Sequence, residues 1–158
     1  MIRPLAAALA AIAAALLVTA GSGAADVDSR LRVAVVSGDT RVRATAGTSS
    51  LADPQYGFVV TDGRYPLPVG HRLLVRGGAP LAIETKDPAS AVRVRLKSRH
   101  SRELSGAAAA VQADASGRHW LARLPRRLPS RADRVGVAAD YPDGSVADFE
   151  AGIRVRAR

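Results

Sequence analysis

The sequence of 158 residues predicts an all-β sandwich of seven to nine strands, preceded by a helical signal peptide. Short segments of alternating apolar and polar residues recur along the chain. Turn signals separate them at intervals of about eight to twelve residues, which is typical of sandwiches. The longest alternation runs through residues 133–141 and 145–156, on either side of the clear Pro142-Asp143-Gly144 turn. Cysteine is absent, so this core must be stable without disulfides.

Residues 1–25 have the order of a secretory signal peptide. Met1-Ile2-Arg3 is positively charged, residues 4–20 are apolar and rich in alanine, and small residues follow. An uncleaved membrane anchor is the alternative, although a spanning helix needs about 20 apolar residues and is usually less dominated by alanine. We expect cleavage after Ala25, with Ala24 and Ala20 as competing sites. The mature protein is then secreted or extracytoplasmic and has no transmembrane segment.

The first part of the mature chain, residues 26–64, is predicted to hold N-terminal strands and a loop that extend the sandwich. Residues 31–37 and 40–44 alternate around Gly38-Asp39 and predict a first hairpin. Residues 45–55 are small and polar and predict a loop. A second hairpin is predicted from residue 56 to residue 68, turning at Asp62-Gly63.

The sandwich core is predicted over residues 65–158. Strands are expected where apolar residues alternate or small residues run together, at 71–76, 80–86, 91–97, 107–114, 118–124, 133–141 and 145–156. Trp120 is expected to face inward with the apolar residues of the last two strands. Leu124-Pro125 and Leu128-Pro129 end a strand and predict an extended segment that crosses from one sheet to the other.

Part of this pattern is similar to a known group of proteins. The matching residues lie between about 48 and 156: Tyr65-Pro66-Leu67-Pro68-Val69, Trp120 with the two Leu-Pro steps, Val135-Gly136-Val137 up to Tyr141, and Ala147-Asp148-Phe149. Their order resembles small secreted immunoglobulin-like proteins of high-GC bacteria, which implies an immunoglobulin- or fibronectin-III-like fold and export. The cysteine pair frequent in that group at the segment matching 48–62 is absent here, and Tyr141 does not match a tyrosine corner.

The basic composition indicates a class of partner. The net charge is +9, and all basic residues except Lys86 and Lys97 are arginine. Such a balance raises the odds of polyanionic partners such as envelope polymers or anionic lipid surfaces, although a compositional bias of the source is the preferred explanation. Specific nucleic-acid recognition is not expected, because no aromatic platform interleaves with the basic residues.

Four Arg-apolar-Arg units are the most distinctive motif. In a strand, both arginines of a unit lie on the solvent face while the middle residue enters the core. Neighbouring units would form a basic stripe that binds phosphates or carboxylates; a plain solvated face is the alternative. The first unit is Arg30-Leu31-Arg32, and the candidate anion-binding residues are those of the other three: Arg41, Arg43, Arg93, Arg95, Arg154 and Arg156.

Tyr56, Phe58 and Tyr65 are candidate contacts for a protein partner, because they lie close together around the second predicted hairpin. The competing interpretation is that Phe58 and Tyr65 cover one end of the core, since exposed aromatic patches are less common on monomers.

No catalytic, cofactor-binding or metal-binding residue is predicted. His71, His100 and His119 are not spaced as metal ligands, and there is no Gly-x-Ser-x-Gly nucleophile elbow. Asp143 is better explained by the tight turn than by calcium. The sequence therefore favours a noncatalytic secreted module in the cell envelope, with an anionic polymer or an envelope protein as partner. An interaction module using residues 56–65 and an enzyme without a recognisable motif are the alternatives.

Overall fold

The computed structural model describes residues 27–156, which form two β-sheets. The signal peptide predicted for residues 1–25 lies outside this range. The elements are α1 (Val27–Arg30), β1 (Val33–Ser37), β2 (Thr40–Arg43), β3 (Thr45–Asp53), β4 (Gly57–Thr61), β5 (Arg72–Val75), β6 (Pro80–Thr85), β7 (Ala91–Lys97), β8 (Ala108–Ala109), β9 (Val111–Gln112), β10 (His119–Arg123), β11 (Arg134–Asp140) and β12 (Val146–Val155). The predicted all-β class is confirmed for the described residues.

The five-stranded sheet has the order β2-β1-β6-β10-β9, and all its pairs are antiparallel. The predicted first hairpin is present, with Ser37 opposite Thr40. Its turn contains Gly38 at φ 55, a left-handed conformation that glycine adopts without steric cost.

The seven-stranded sheet has the order β4-β3-β12-β11-β7-β8, and β5 pairs in parallel with the C-terminal half of β12. β11 and β12 form the hairpin predicted around the Pro142-Asp143-Gly144 turn. The strands of residues 33–61 contribute to both sheets, because β1 lies between β2 and β6 while β3 lies between β4 and β12.

The inward faces of the two sheets form one hydrophobic core. Its largest fully buried side chains include Phe149, Leu73, Leu81 and Ile83. Burial of each such side chain stabilises the fold by about 1.5–3 kcal/mol. Trp120 is buried as predicted, and its indole N–H donates to the Gly117 carbonyl at 3.0 Å.

Two segments connect the sheets. The predicted crossing at the Leu-Pro steps is confirmed, because β10 belongs to the five-stranded sheet and β11 to the seven-stranded one. The single small-residue strand predicted at 107–114 is divided into two short strands, β8 and β9, which pair with β7 and β10 respectively. This segment therefore also passes from one sheet to the other.

The prediction of a loop at residues 45–55 is wrong. β3 fills most of this range and pairs with both β12 and β4. Its inward residues are Ala46, Ser49 and Leu51, but a register shift interrupts the alternation between Ala46 and Ser49, and these two are small and carry little hydrophobic signal. The described residues contain twelve strands instead of the predicted seven to nine, and β3 and the division of 107–114 account for two of the additional ones.

The prediction of a hairpin between residues 56 and 68 is also wrong. β4 turns back onto β3 instead, and the Asp53 carboxylate accepts the N–H groups of Gln55 and Tyr56 at 2.8 and 2.9 Å in that turn. Pro66 and Pro68 lie in the segment that follows β4, where they have no N–H to donate to a strand partner.

A charged cluster lies beneath residues 98–104 on the outer side of the seven-stranded sheet. The Glu150 carboxylate is buried and receives Lys97 Nζ at 3.0 Å, Ser101 Oγ at 2.8 Å and an Arg134 guanidinium N–H at 3.0 Å. Arg134 also donates to the carbonyls of Leu67 and Arg99. This cluster attaches the flanking loops to the sheet.

Candidate anion-binding surface

The predicted arginines separate into three locations. Arg41 and Arg43 lie on β2 of the five-stranded sheet, and Arg93 and Arg95 lie on β7 of the other sheet. Arg154 is near the end of β12, and Arg156 follows that strand. The single stripe that the sequence raised as a hypothesis is therefore not formed.

Arg41 and Arg43 lie at a groove on the outer face of the five-stranded sheet. Val42, between them, is buried, as the period of two requires. Strand pairing aligns Arg43, Ala34, Glu84 and His119 in one row across four strands. The groove has a volume of about 430 Å³.

The groove contains more positive than negative side chains. Its charged lining residues are Arg32, Arg41, Arg43, Lys86, Arg118 and Glu84. The Glu84 carboxylate lies in the aligned row and accepts the Arg41 Nε–H at 2.8 Å. Among the described residues, five cations therefore share this surface with one lining carboxylate.

His119 lies at one end of the row, with its Nδ1 2.5 Å from Asp114 Oδ2. Hydrogen bonds from the Ser116 hydroxyl and N–H, followed by the contact with His119, hold the pKa of Asp114 below its ordinary value. Asp114 is therefore a stable negative group at the rim and sets the boundary of the basic surface there.

Arg93 and Arg95 are already paired with carboxylates. Arg93 Nη2 contacts both oxygens of Asp140, at 2.8 and 3.0 Å, and Arg95 contacts Glu103. Arg95 borders a groove over β11, whose outward residues Gly136 and Ala138 are small and line it. Arg93 borders an adjoining groove that Arg95 and Ala138 also line. Neutralisation by these carboxylates makes this face a weaker anion site than the groove beside β2.

Arg154 and Arg156 are distant from the β7 arginines. In the register of the seven-stranded sheet, the row of Arg93 reaches β12 at Asp148. Arg154 is six residues further along β12, beside Leu74 of β5. Six residues of strand span roughly 20 Å, so the two pairs cannot hold one anionic group together.

The first Arg-apolar-Arg unit does not lie within a strand. Arg30 is at the end of α1, where its guanidinium lies 3.0 Å from Asp143 and donates to Ala52 O and Ser145 Oγ, both at 3.2 Å. Burial alone would raise the pKa of Asp143, but hydrogen bonds from Ser145 and the charge of Arg30 outweigh it and hold that pKa below its ordinary value. Arg30 thus attaches the N-terminal segment to the last hairpin.

Lys86 and Arg118 are groove residues that no sequence pattern indicated. Lys86 follows β6 and Arg118 precedes β10, so neither belongs to a repeated motif. Their common position depends on the antiparallel pairing of β6 with β10, where Glu84 faces His119. A single basic residue at a strand end is too common a feature to have indicated this site.

The three aromatic candidates for a partner contact are exposed. Tyr56, Phe58 and Tyr65 retain 71%, 54% and 40% of their accessible surface. The alternative that Phe58 and Tyr65 cover one end of the core is therefore wrong. β4 is at the end of the seven-stranded sheet, and all five of its residues are exposed.

His71, His100 and His119 are all exposed. Within residues 27–156, no three His, Asp or Glu side chains are grouped so that they could hold a metal ion. Over the same range, no helix is long and apolar enough to cross a membrane. Comparison with known proteins found no matching family model, no similar curated protein and no similar solved structure.

Proposed function

We propose that this protein is a noncatalytic binding module that holds an anionic polymer of the cell envelope in the groove beside β2. The observation that carries the proposal is the convergence of five cationic side chains on one groove with one lining carboxylate. Guanidinium groups suit this function, because each can donate two parallel hydrogen bonds to a phosphate or carboxylate.

An extended polymer fits this groove better than a single small anion. Arg43 and His119 end a row that crosses four strands, which corresponds to a width of about 14 Å. Repeated anionic groups along a chain can contact Arg43 at one end of the row and Arg118, which precedes His119, at the other. No aromatic ring of Phe, Tyr or Trp lines the groove, so it provides no platform for stacking nucleobases.

We also propose an immunoglobulin-like fold for the core, with residues 26–64 as an extension. The strand order β6-β10-β9 facing β7-β11-β12 supports this, because it matches strands B, E and D facing C, F and G of such sandwiches. In this assignment β5 is the first strand, and β1 to β4 are added at the sheet edges.

Export through the signal peptide is a further part of the proposal, supported by the charge and hydropathy order of residues 1–25. N-terminal sequencing of the protein from medium and envelope fractions tests it. We expect a chain that begins at Asp26; a chain that retains Met1 in the cytoplasm contradicts export.

The binding proposal is tested with the double variant Arg43→Ser and Arg118→Ser and soluble polyphosphate as the probe. Each cation near a charged surface contributes about 1 kcal/mol, so we expect roughly a thirtyfold loss of affinity at low salt. The dependence of affinity on salt should also become weaker, since fewer counterions are released. Glu84→Gln should act in the opposite direction and strengthen binding.

The matched control is the double variant Arg127→Ser and Arg131→Ser. It makes the same change in net charge at exposed positions of the connection between β10 and β11. Equal losses in the two double variants would refute a groove-specific site. Vesicles containing phosphatidylglycerol form a second arm: groove-dependent binding to vesicles without binding to polyphosphate would refute the polymer as ligand.

A further inference from the structure

β4 is an open edge of the seven-stranded sheet. It is the last strand in the sheet order, and within residues 27–156 it pairs only with β3. All five of its residues, Gly57-Phe58-Val59-Val60-Thr61, are exposed, and none is charged or proline. Natural edge strands are usually protected against pairing by charged residues, proline or bulges. β4 has neither charge nor proline, and it is flanked by further exposed apolar side chains at Tyr56 and Val146.

The directions of the backbone groups in β4 follow from a contact of β3. The Ala52 N–H donates to Ser145 Oγ at 2.8 Å, so the polar groups of Ala52 point toward β12 and away from β4. Ala52 faces Phe58, and this pair is therefore not hydrogen bonded. By alternation, Val59 bonds to Leu51 of β3, whereas Phe58 and Val60 direct their backbone groups to the open edge. The Phe58 N–H lies 3.1 Å from the Tyr56 carbonyl in a local turn.

We propose that β4 pairs with β4 of a second copy of this chain, antiparallel, about a twofold axis at Val59. This register is self-complementary. Phe58 of each copy faces Val60 of the other, and both residues direct their backbone groups to the edge. The Val60 N–H of one copy can therefore donate to the Phe58 carbonyl of the other, whereas the Phe58 N–H must leave its bond to Tyr56 to complete the pair. It also places an aromatic side chain beside a β-branched one, a favourable cross-strand combination.

The ends of β4 carry charges of both signs. Asp53 precedes β4, Asp62 and Arg64 follow it, and the strand itself is uncharged. Antiparallel pairing places Arg64 of each copy at the end where Asp53 of the other copy lies, so this cation offsets the carboxylates around it. A twofold contact of this kind is closed, and it joins two seven-stranded sheets without leaving β4 open. This site is separate from the groove beside β2, so the inference does not depend on polymer binding.

The first experiment is sedimentation of the purified protein over a range of concentrations, with Val60→Pro and Val60→Thr variants. Proline at 60 removes an N–H that points to the edge and should be tolerated by the sheet, as at other edge strands. We expect the wild type and Val60→Thr to form dimers. Val60→Pro should keep the same circular dichroism spectrum while its dimer dissociation constant rises at least about tenfold.

A second experiment tests the register. The chain has no cysteine, so Val59→Cys introduces a single thiol at the proposed axis. Non-hydrogen-bonded antiparallel partners have Cα atoms about 4.5 Å apart, within the range that a disulfide can span. Mild oxidation should therefore crosslink Val59→Cys into a dimer, but Val60→Cys, whose partner in this register is Phe58, should crosslink much less.

Three results would overturn the proposal. They are a wild type that is monomeric at every concentration, a dimer that persists unchanged in a folded Val60→Pro variant, and equal crosslinking of the two cysteine variants. If the wild type is monomeric, the alternative is that β4 pairs with a strand of another protein.

Discussion

The buried charges around Glu150 give a quantitative prediction about stability. Replacing Arg134 with methionine removes the guanidinium that contacts the Glu150 carboxylate but retains most of the buried volume. The side chains of Arg134 and Glu150 are 7% and 0% exposed. Water therefore cannot solvate either charge when its partner is removed. The loss is therefore much larger than for an ion pair on the surface.

The expected magnitude follows from the remaining contacts. Removing one partner of a buried pair costs about 3–5 kcal/mol. Glu150 still keeps Lys97 and Ser101 in Arg134→Met, so we expect the lower end, about 3 kcal/mol, and a melting temperature lower by roughly 10 °C. The double variant Arg134→Met with Glu150→Leu removes both charges. It should be more stable than the sum of the single effects predicts, by at least about 2 kcal/mol.

Urea unfolding followed by tryptophan fluorescence is the suitable assay, because Trp120 is the single tryptophan and is buried. Arg134→Met, Glu150→Leu and the double variant complete a mutant cycle with the wild type. The reasoning is refuted if either single variant loses less than about 1 kcal/mol, or if the single effects add without coupling.

Two further predictions concern the backbone and pH. Gly77→Ala should lose about 1–3 kcal/mol of unfolding free energy, because its Cβ would lie 2.0 Å from the Arg126 carbonyl oxygen. Gly70→Ala, which has no atom within 4 Å of the new Cβ, should change stability by less than about 0.5 kcal/mol, and equal thermal shifts would contradict this contrast. Because the pKa of Asp143 is lowered on folding, its carboxylate stabilises the protein above the unfolded-state pKa near 3.8, and this contribution is lost as the pH falls through the folded-state pKa. Asp143→Asn should therefore lower the melting temperature at neutral pH and have little effect at strongly acidic pH. If the melting temperatures of the wild type and Asp143→Asn differ by a constant amount across the acid range, the proposed stabilisation by the Asp143 carboxylate is contradicted.

Local alternation predicted the direction of many side chains correctly. Val42, Val94 and Leu96 are buried, and the arginines of β2 and β7 point to the outer faces of their sheets. A period of two within one strand determines these directions, so no knowledge of the neighbouring strands was needed.

The same alternation could not predict what covers an outward face. Glu150 is on the outward side of β12, yet it is buried because residues 98–104 and the segment around Leu67 fold over it. β3 was missed for a related reason, since its small residues are buried through pairing with two strands. These features depend on contacts between residues far apart in sequence.

The sequence by itself determined the all-β class, the inward position of Trp120, the last hairpin and the crossing at the Leu-Pro steps. Each of these depends on interactions within a few residues, such as side-chain alternation, turn geometry and the missing N–H of proline. Only the tertiary structure decided which arginines lie together. Strand order and register placed Lys86 and Arg118 beside Arg43, separated Arg93 from Arg154, and left β4 at an open edge, because pairing between distant strands sets all of these positions.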